Sequence, residues 1–261
     1  MSTSRQSGTV RKALLILSLF DVDHPEWSFT EICQATSLPK ATAFRLLKTL
    51  EATKYLACDP RTGRYHLGSS MLKAAYLTLS HSSLVRIANP HMQRLAEETT
   101  ETVNLAVPTD QGAMIVDTVL TSRPFKPHNP PGSLMPGLST VHSRIFLAFK
   151  SESEWETALS QPLERRTEFT ITDPQRLRHE LVKIRREGIA YGLQEWSVGM
   201  CAVGAPIFDS NGTVRACLAV VAPSERFGPT EMLEYGAAVK ETATTISQEL
   251  GHRPHGDTAG V

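Results

Sequence analysis

Six cations, Lys40, Arg45, Lys48, Lys54, Arg61 and Arg64, fall within SLPKATAFRLLKTLEATKYLACDPRTGRYHLG, residues 37–68. Side chains of this type at this density neutralise phosphates. The whole chain balances 27 Lys/Arg against 27 Asp/Glu, but residues 1–70 hold nine Lys/Arg against six Asp/Glu. Placement, not total charge, gives the cations meaning. Other chemistry finds less support in the spacing. His142, Ser143 and Cys201 are nucleophile and base types, yet there is no G-x-S-x-G, no P-loop and no HExxH. The nine histidines contain no i, i+4 pair, and Cys33, Cys58, Cys201 and Cys217 form no CxxC. No catalytic residue, metal site or cofactor is expected. A thiol-dependent hydrolase and a metal sensor are the minor alternatives.

The elements that must position the cations are readable from the pattern around them. Val10, Ala13, Leu14 and Leu17 recur at i, i+3, i+4 and i+7, one face of a helix. Ser28 and Glu31 have capping-box spacing, so a second helix starts there with Phe29, Ile32 and Cys33 inward. Pro39 suits the first turn of a third helix, where its missing N–H has no partner anyway. On that helix Ala43, Leu46, Leu47 and Leu50 form the buried stripe. At about 100° per residue Ala41, Arg45 and Lys48 point away from it, flanked by Thr42 and Phe44. YLAC and RYHL follow as a hairpin around DPRTG, with Arg61 and Arg64 near its tip. Three helices and a basic hairpin make a winged helix-turn-helix, whose third helix enters a DNA major groove.

Residues 69–83 read as a connecting helix with Leu72, Ala75, Tyr76 and Leu79 on one face, suited to packing on its own domain or on a partner chain. LVRIANPHMQRLAEETTE then opens a second domain as a helix that Pro90 kinks or interrupts early. Strand pairs are expected in TVNLAVPTDQGAMIVDTVL around TDQG, and in CAVGAPIF and TVRACLAVV around DSNG. Helices are expected over 140–149, within ESEWETALSQ, from TDPQ and from near Pro229. In TDPQ, Thr172 and Gln175 have capping-box spacing and Pro174 lies in the first turn; Leu177, Leu181 and Ile184 face inward and Gly188 ends the helix. RPFKPHNPPGSLMPGLS is a long proline-rich loop of the kind that borders functional sites. Hairpins of an antiparallel sheet among helices place the chain in the α+β class.

The pieces LPKATAFRLLKTLE, DPRTGRYHLG, LAEETTETVNLAV, TDPQRLRHELVKIRREGIA, GMCAVGAPIFDSNG and AVVAPSERFGPTEM stand in an order that resembles the IclR family of bacterial transcription regulators, from about Thr9 to Leu250. The resemblance implies an N-terminal winged helix-turn-helix, a linker helix and a C-terminal GAF-like effector-binding domain with an antiparallel sheet flanked by helices. It further implies dimers or tetramers on double-stranded operator DNA, with repression as the expected sense. The expected division is a disordered 1–8, a DNA-binding 9–68, a linker 69–83, an effector domain 84–251 and a disordered 252–261. Lys40, Lys48, Lys54 and Arg61 are the candidates for phosphate contacts, which position without reading sequence. Thr42, Phe44 and Arg45 are better placed for base edges, Arg45 for guanine and Phe44 for a thymine methyl. Ala41 and Arg64 complete that surface. The family often has a polar residue where Phe44 stands, and packing of Phe44 on the second helix is the other reading.

By the same resemblance an effector pocket is formed by the loop before the helix at Thr140, that helix's first turn, the stretch leading to Cys201 and the strand bearing Ala219 and Val221. Members that bind small organic acids tend to carry serines on that strand and an acid upstream of the cysteine. Here Ala219, Val221, Gly192 and Leu193 stand in those places, while His142 and Ser143 replace residues that are usually small or apolar. A pocket of Met135, Val141, Leu193, Trp196, Met200, Ala219 and Val221, with His142 and Cys201 as its few polar members, suits an aromatic or largely apolar effector with one polar group. A constitutive DNA binder with a degenerate sensor domain is the runner-up. No apolar run approaches the ~18 residues of a membrane span, and MSTSRQSGTV has no signal-peptide core. A cytoplasmic protein with reduced thiols is expected.

Overall fold

The computed structural model describes residues 8–21, 24–80 and 83–253. The expected disordered ends fall almost wholly outside these residues, although His252 packs on Phe208, ring centroids 5.0 Å apart. After residue 81 the chain divides into two compact units.

The first unit contains α1 (Gly8–Leu17), β1 (Glu26–Ser28), α2 (Phe29–Thr36), α3 (Lys40–Ala52), β2 (Leu56–Cys58), β3 (Arg64–Leu67) and α4 (Ser69–Ser80). The capping box at the start of α2 is formed: Ser28 N–H donates to Glu31 Oε2 at 2.7 Å, and Glu31 N–H donates to the Ser28 hydroxyl at 3.3 Å. Ser37 ends α2 in the left-handed conformation, and Pro39 caps α3 immediately before its first turn rather than within it. Ala43, Leu46, Leu47 and Leu50 are buried, as their spacing requires, in a core with Ile16, Ile32, Leu56 and Tyr65.

The inward face of α1 differs from expectation. Ile16 is buried and Ala13 and Leu17 pack against the core, while Val10 and Leu14 are 56% and 59% exposed. The run ALLIL is apolar all round, so periodicity alone could not choose its face. The wing also has a third strand. β3 lies between β2 and β1, with Trp27 opposite Tyr65, and only three residues, shared with the capping box, announce β1. Where the wing passes into α4, a Cβ on Gly68 would lie 2.3 Å from the Lys54 carbonyl oxygen, so only glycine fits. On α4, Leu72 and Ala75 are exposed, and the side chains of Tyr76 and Leu79 lie outside the described set.

The second unit runs α5 (Ser83–Thr99), β4 (Thr102–Thr109), β5 (Gly112–Val119), β6 (Leu134–Met135), α6 (Val141–Ala148), α7 (Glu152–Leu159), α8 (Pro174–Glu187), β7 (Ala190–Leu193), β8 (Met200–Phe208), β9 (Val214–Pro223) and α9 (Pro229–Glu249). Its sheet is antiparallel throughout, in the order β6-β5-β4-β9-β8-β7. Along β9, Leu218, Val220 and Ala222 pack with α5 and α9, while Cys217 and Ala219 pack with α6, α7 and α8. Because both faces are covered, β9 reads as the continuous apolar run CLAVVA rather than as an alternation. This is the expected α+β arrangement.

Three local readings change. α5 is not interrupted at Pro90, because Ala88, Met92 and Leu95 are buried on the sheet and outweigh one missing hydrogen bond. The cap of α8 is Asp173, not Thr172: its carboxylate accepts from Arg176 N–H at 2.7 Å, and Pro174 then begins the helix. β6 and β7 are added at the two sheet edges, where a two-residue strand and the glycine-containing AYGL carry weak strand signals. Among the described residues no helix is long and apolar enough to cross a membrane.

Candidate functional site

The first unit presents α3. Lys40, Ala41, Phe44, Arg45 and Lys48 are exposed along it and Thr42 is half-buried. The Arg45 guanidinium makes no ion pair or hydrogen bond among the described residues, so its planar fork is free for a base or a phosphate. Lys48 is partly neutralised by Glu51 at 2.8 Å. Phe44 packs on α2, the other of its two expected readings, without being buried there. Its ring meets Phe29 edge-on at 6.4 Å, yet the residue remains 52% exposed beside the Lys48 ammonium.

The wing cations differ from one another. Arg61 stands at the hairpin tip with 89% of its side chain exposed and Asp59 3.8 Å away. Lys54, also exposed, occupies a left-handed turn after α3. Arg64 is turned back into the unit: its Nη2 donates to Glu31 Oε2 at 3.0 Å and to the Glu26 carbonyl at 3.1 Å, tying the wing to the start of α2. The Glu31 carboxyl is held below the ordinary carboxylate range, first by the Ser28 amide and hydroxyl and then by Arg64.

The second unit contains a small cavity of about 50 Å³ between α6, the β7–β8 connection and the sheet. Seven of the nine expected residues line it: Met135, Val141, His142, Trp196, Met200, Cys201 and Val221. Two do not. Leu193 is 45% exposed, and Ala219 is buried in the core with Cys217. Cys201 only borders the space: it is paired with Ala222 and packs with it in the core on the opposite sheet face. Burial raises the Cys201 thiol above its usual range, which leaves it a small apolar residue rather than a nucleophile. Ser143 is equally structural, its hydroxyl donating to the Met135 carbonyl at 3.3 Å.

Glu195 was overlooked in the sequence and alters the character of this wall. It lines the cavity, 7% exposed, and pairs with Arg144 Nη2 at 3.0 Å. Arg144 itself is 1% exposed and also donates to the Tyr191 carbonyl at 2.9 Å. Gly192 makes room for it, since a Cβ there would lie 3.4 Å from Nη2 and 3.0 Å from Val141. The chain carries Glu195 inward through a strained turn: Gln194 has a φ of 60°, and the Thr170 hydroxyl donates to the Glu195 carbonyl at 2.7 Å. Burial raises the Glu195 carboxyl above the usual range against the opposing pull of Arg144. The other lining residues are Asn129, Ser139 and Thr140, within or ending the loop expected to border the pocket, together with Ala202 beside Cys201. Asn104 lies on the same sheet face, directly opposite Ala219.

His142 is 4% exposed and neither ring nitrogen has a partner. Burial pushes its imidazole down to about 4. An unfolded imidazole titrates near 6.5, so between roughly pH 6.5 and 4 only the unfolded chain takes up this proton, and stability falls as pH drops through that window. The expected loss is on the order of 3 kcal/mol. Urea denaturation across the window checks it: His142→Gln has the flatter profile, and parallel profiles contradict the assignment.

Residues 76–248 match the family model for the bacterial transcriptional regulator IclR C-terminal domain, and residues 9–60 match the IclR helix-turn-helix domain. The HTH-type transcriptional regulator BhcR of Paracoccus denitrificans is 31% identical over 254 residues, 96% of this chain and 91% of that protein. The HTH-type transcriptional repressor AllR of Klebsiella pneumoniae is 25% identical over 98% of this chain and 94% of its own length. An IclR homologue from Microbacterium hydrocarbonoxydans, solved in complex with 4-hydroxybenzoate, has a TM-score of 0.82 at 24% identity, over 93% of this chain and 99% of that one. The two relatives known by name are a regulator and a repressor, not enzymes. One family thus accounts for both units: the chain belongs to the IclR family of DNA-binding transcriptional regulators.

Proposed function

We propose that this regulator represses transcription from a palindromic operator and is controlled by a small molecule held in the second unit. The observation that carries the sensor reading is His142: a buried imidazole with two unpartnered nitrogens on a cavity wall is a group suited to recognise a ligand. α3 reads the major groove through Arg45, Thr42 and Phe44. Lys40, Ala41, Lys48, Lys54 and Arg61 follow the backbone, and Arg64 supports the wing from within. The acting species is a homodimer or tetramer in the cytoplasm, with residues 9–68 on DNA, 69–83 as linker and 84–251 as sensor. The repressor relative AllR supports the sense of regulation.

The effector is largely apolar, with a polar end toward His142. Met135, Val141, Trp196, Met200 and Val221 supply the apolar walls. A cavity of about 50 Å³ is smaller than a benzene ring requires, so an aromatic effector enters by displacing a wall. The irregular segments bearing Asn129 and Trp196 yield more readily than the strands do. The neighbour complexed with 4-hydroxybenzoate supports the capacity of this fold for an aromatic ring. The cavity's narrowness favours a second reading, a DNA binder whose sensor has degenerated. A thermal-shift screen of small acids, aromatic acids, amides and phenols, with hits repeated on promoter DNA, separates the two. A hit that changes DNA affinity supports the sensor, and a blank screen supports the degenerate binder.

A further inference from the structure

Among the described residues, three buried side chains besides His142 have polar atoms without partners: Asn104 at both amide atoms, Arg144 at Nε and Glu195 at Oε2. Glu195 and His142 line the cavity, Arg144 holds Glu195 from α6, and Asn104 is on the sheet face that α6 covers. Groups of this kind are rarely left unsatisfied in a folded protein. The two that line the cavity limit what it would bind. Neutral His142 offers one donor and one acceptor, and ionised Glu195 Oε2 only accepts.

Charge narrows the choice further. Among the described residues no Lys or Arg lines the cavity, and its ionisable residues are His142, Glu195 and the Cys201 thiol. Arg144, the nearest cation to Glu195, is already committed to that carboxylate and to the Tyr191 carbonyl. A carboxylate ligand would therefore be buried against another carboxylate with no cation lining the cavity, since Arg166, stacked on the Trp196 ring at 3.8 Å, is paired with Glu164. The first turn of α6 favours an anion through its dipole, but Thr140 already accepts the Ser143 N–H there.

Resting on the effector-binding reading, we propose that the buried end of the ligand is an uncharged group carrying both an N–H donor and a carbonyl acceptor, as in a carboxamide. Glu195 Oε2 accepts from its N–H and His142 donates to its carbonyl, while the apolar remainder lies against Trp196 and Met200. Matched pairs of equal shape test this on the full-length protein: benzamide against benzoate, phenylacetamide against phenylacetate, and 4-hydroxybenzamide against 4-hydroxybenzoate, by calorimetric titration at neutral pH. The amide of at least one pair is expected to bind tenfold or more tightly than its acid. Glu195→Gln, which removes the charge and adds a donor at the same place, is expected to shrink that preference at least tenfold. Should this variant fail to fold, the wild-type pairs still decide. Equal or tighter binding of the acids overturns the proposal and leaves the sensor reading standing, as does an amide preference that Glu195→Gln does not change. Binding by no member of any pair overturns the proposal, and a blank screen on promoter DNA then removes the sensor reading as well.

Discussion

Arg144→Leu is expected to destabilise the second unit by about 3–5 kcal/mol at neutral pH, because it removes one partner of a buried ion pair and leaves the other either as an uncompensated charge or forced to take up a proton. Arg144 is 1% exposed and Glu195 is 7% exposed, so water screens neither, and Glu195 Oε2 already lacks a hydrogen bond. The sign of the pH dependence follows from the direction of the Glu195 shift. Its folded carboxyl titrates above the unfolded one even with Arg144 present, and losing the guanidinium raises it further. The folded variant therefore holds a proton that the unfolded chain has released, and its stability deficit widens as pH rises through this range. Near and below the ordinary carboxylate range both states are protonated and the deficit is smallest. Replacing both residues with leucine removes the uncompensated charge and is expected to recover part of the loss. Urea denaturation of the single and double variants at several pH values measures this. An Arg144→Leu variant as stable as wild type at neutral pH contradicts the buried-pair account.

Arg45→Ala carries the largest expected effect on DNA. A bidentate arginine–guanine contact is worth about 1–3 kcal/mol of discrimination, so operator affinity is expected to fall roughly 5- to 150-fold per half-site contact. Its guanidinium is free of internal partners, so this loss comes without the folding penalty that Arg144→Leu brings. Lys40→Ala serves as the contrast. It is expected to weaken operator and random DNA alike and to lower the salt dependence by about one counterion. Fluorescence anisotropy on operator and scrambled duplexes, at two salt concentrations, separates them. If Arg45→Ala weakened both duplexes equally, Arg45 would be a phosphate contact and base reading would rest on Thr42 and Phe44.

The reading helix was legible because its signals are local. Four apolar residues at helical spacing buried one face of α3, and rotation alone then exposed Arg45 and Lys48. The capping box at Ser28 and the glycine end of α8 were legible for the same reason. The fate of Arg64 was not, because its partner Glu31 lies 33 residues earlier and meets it only once the wing folds back. The cavity shows a similar limit. Its apolar members came with the family resemblance, but the decisive carboxylate did not. Gly192 and Leu193 stand where that resemblance puts an acid, while Glu195 is turned inward by the left-handed Gln194. Two signals for the polar cluster were present in the chain: an asparagine amid the apolar TVNLAV and an arginine amid VHSRIFLA. A charged or amide residue at such a position is buried only with a partner or a purpose.

A ligand in the second unit and DNA on α3 are expected to bind the same molecule in a coupled way. The most direct measurement is the affinity of full-length protein for its operator with and without a bound amide from the matched pairs, together with the affinity for that amide with and without operator. Coupling through one equilibrium requires both ratios to change by the same factor, on the order of 5- to 150-fold. Operator and amide affinities that are each unaffected by the other ligand would contradict the account and leave two binding activities that share a chain without communicating.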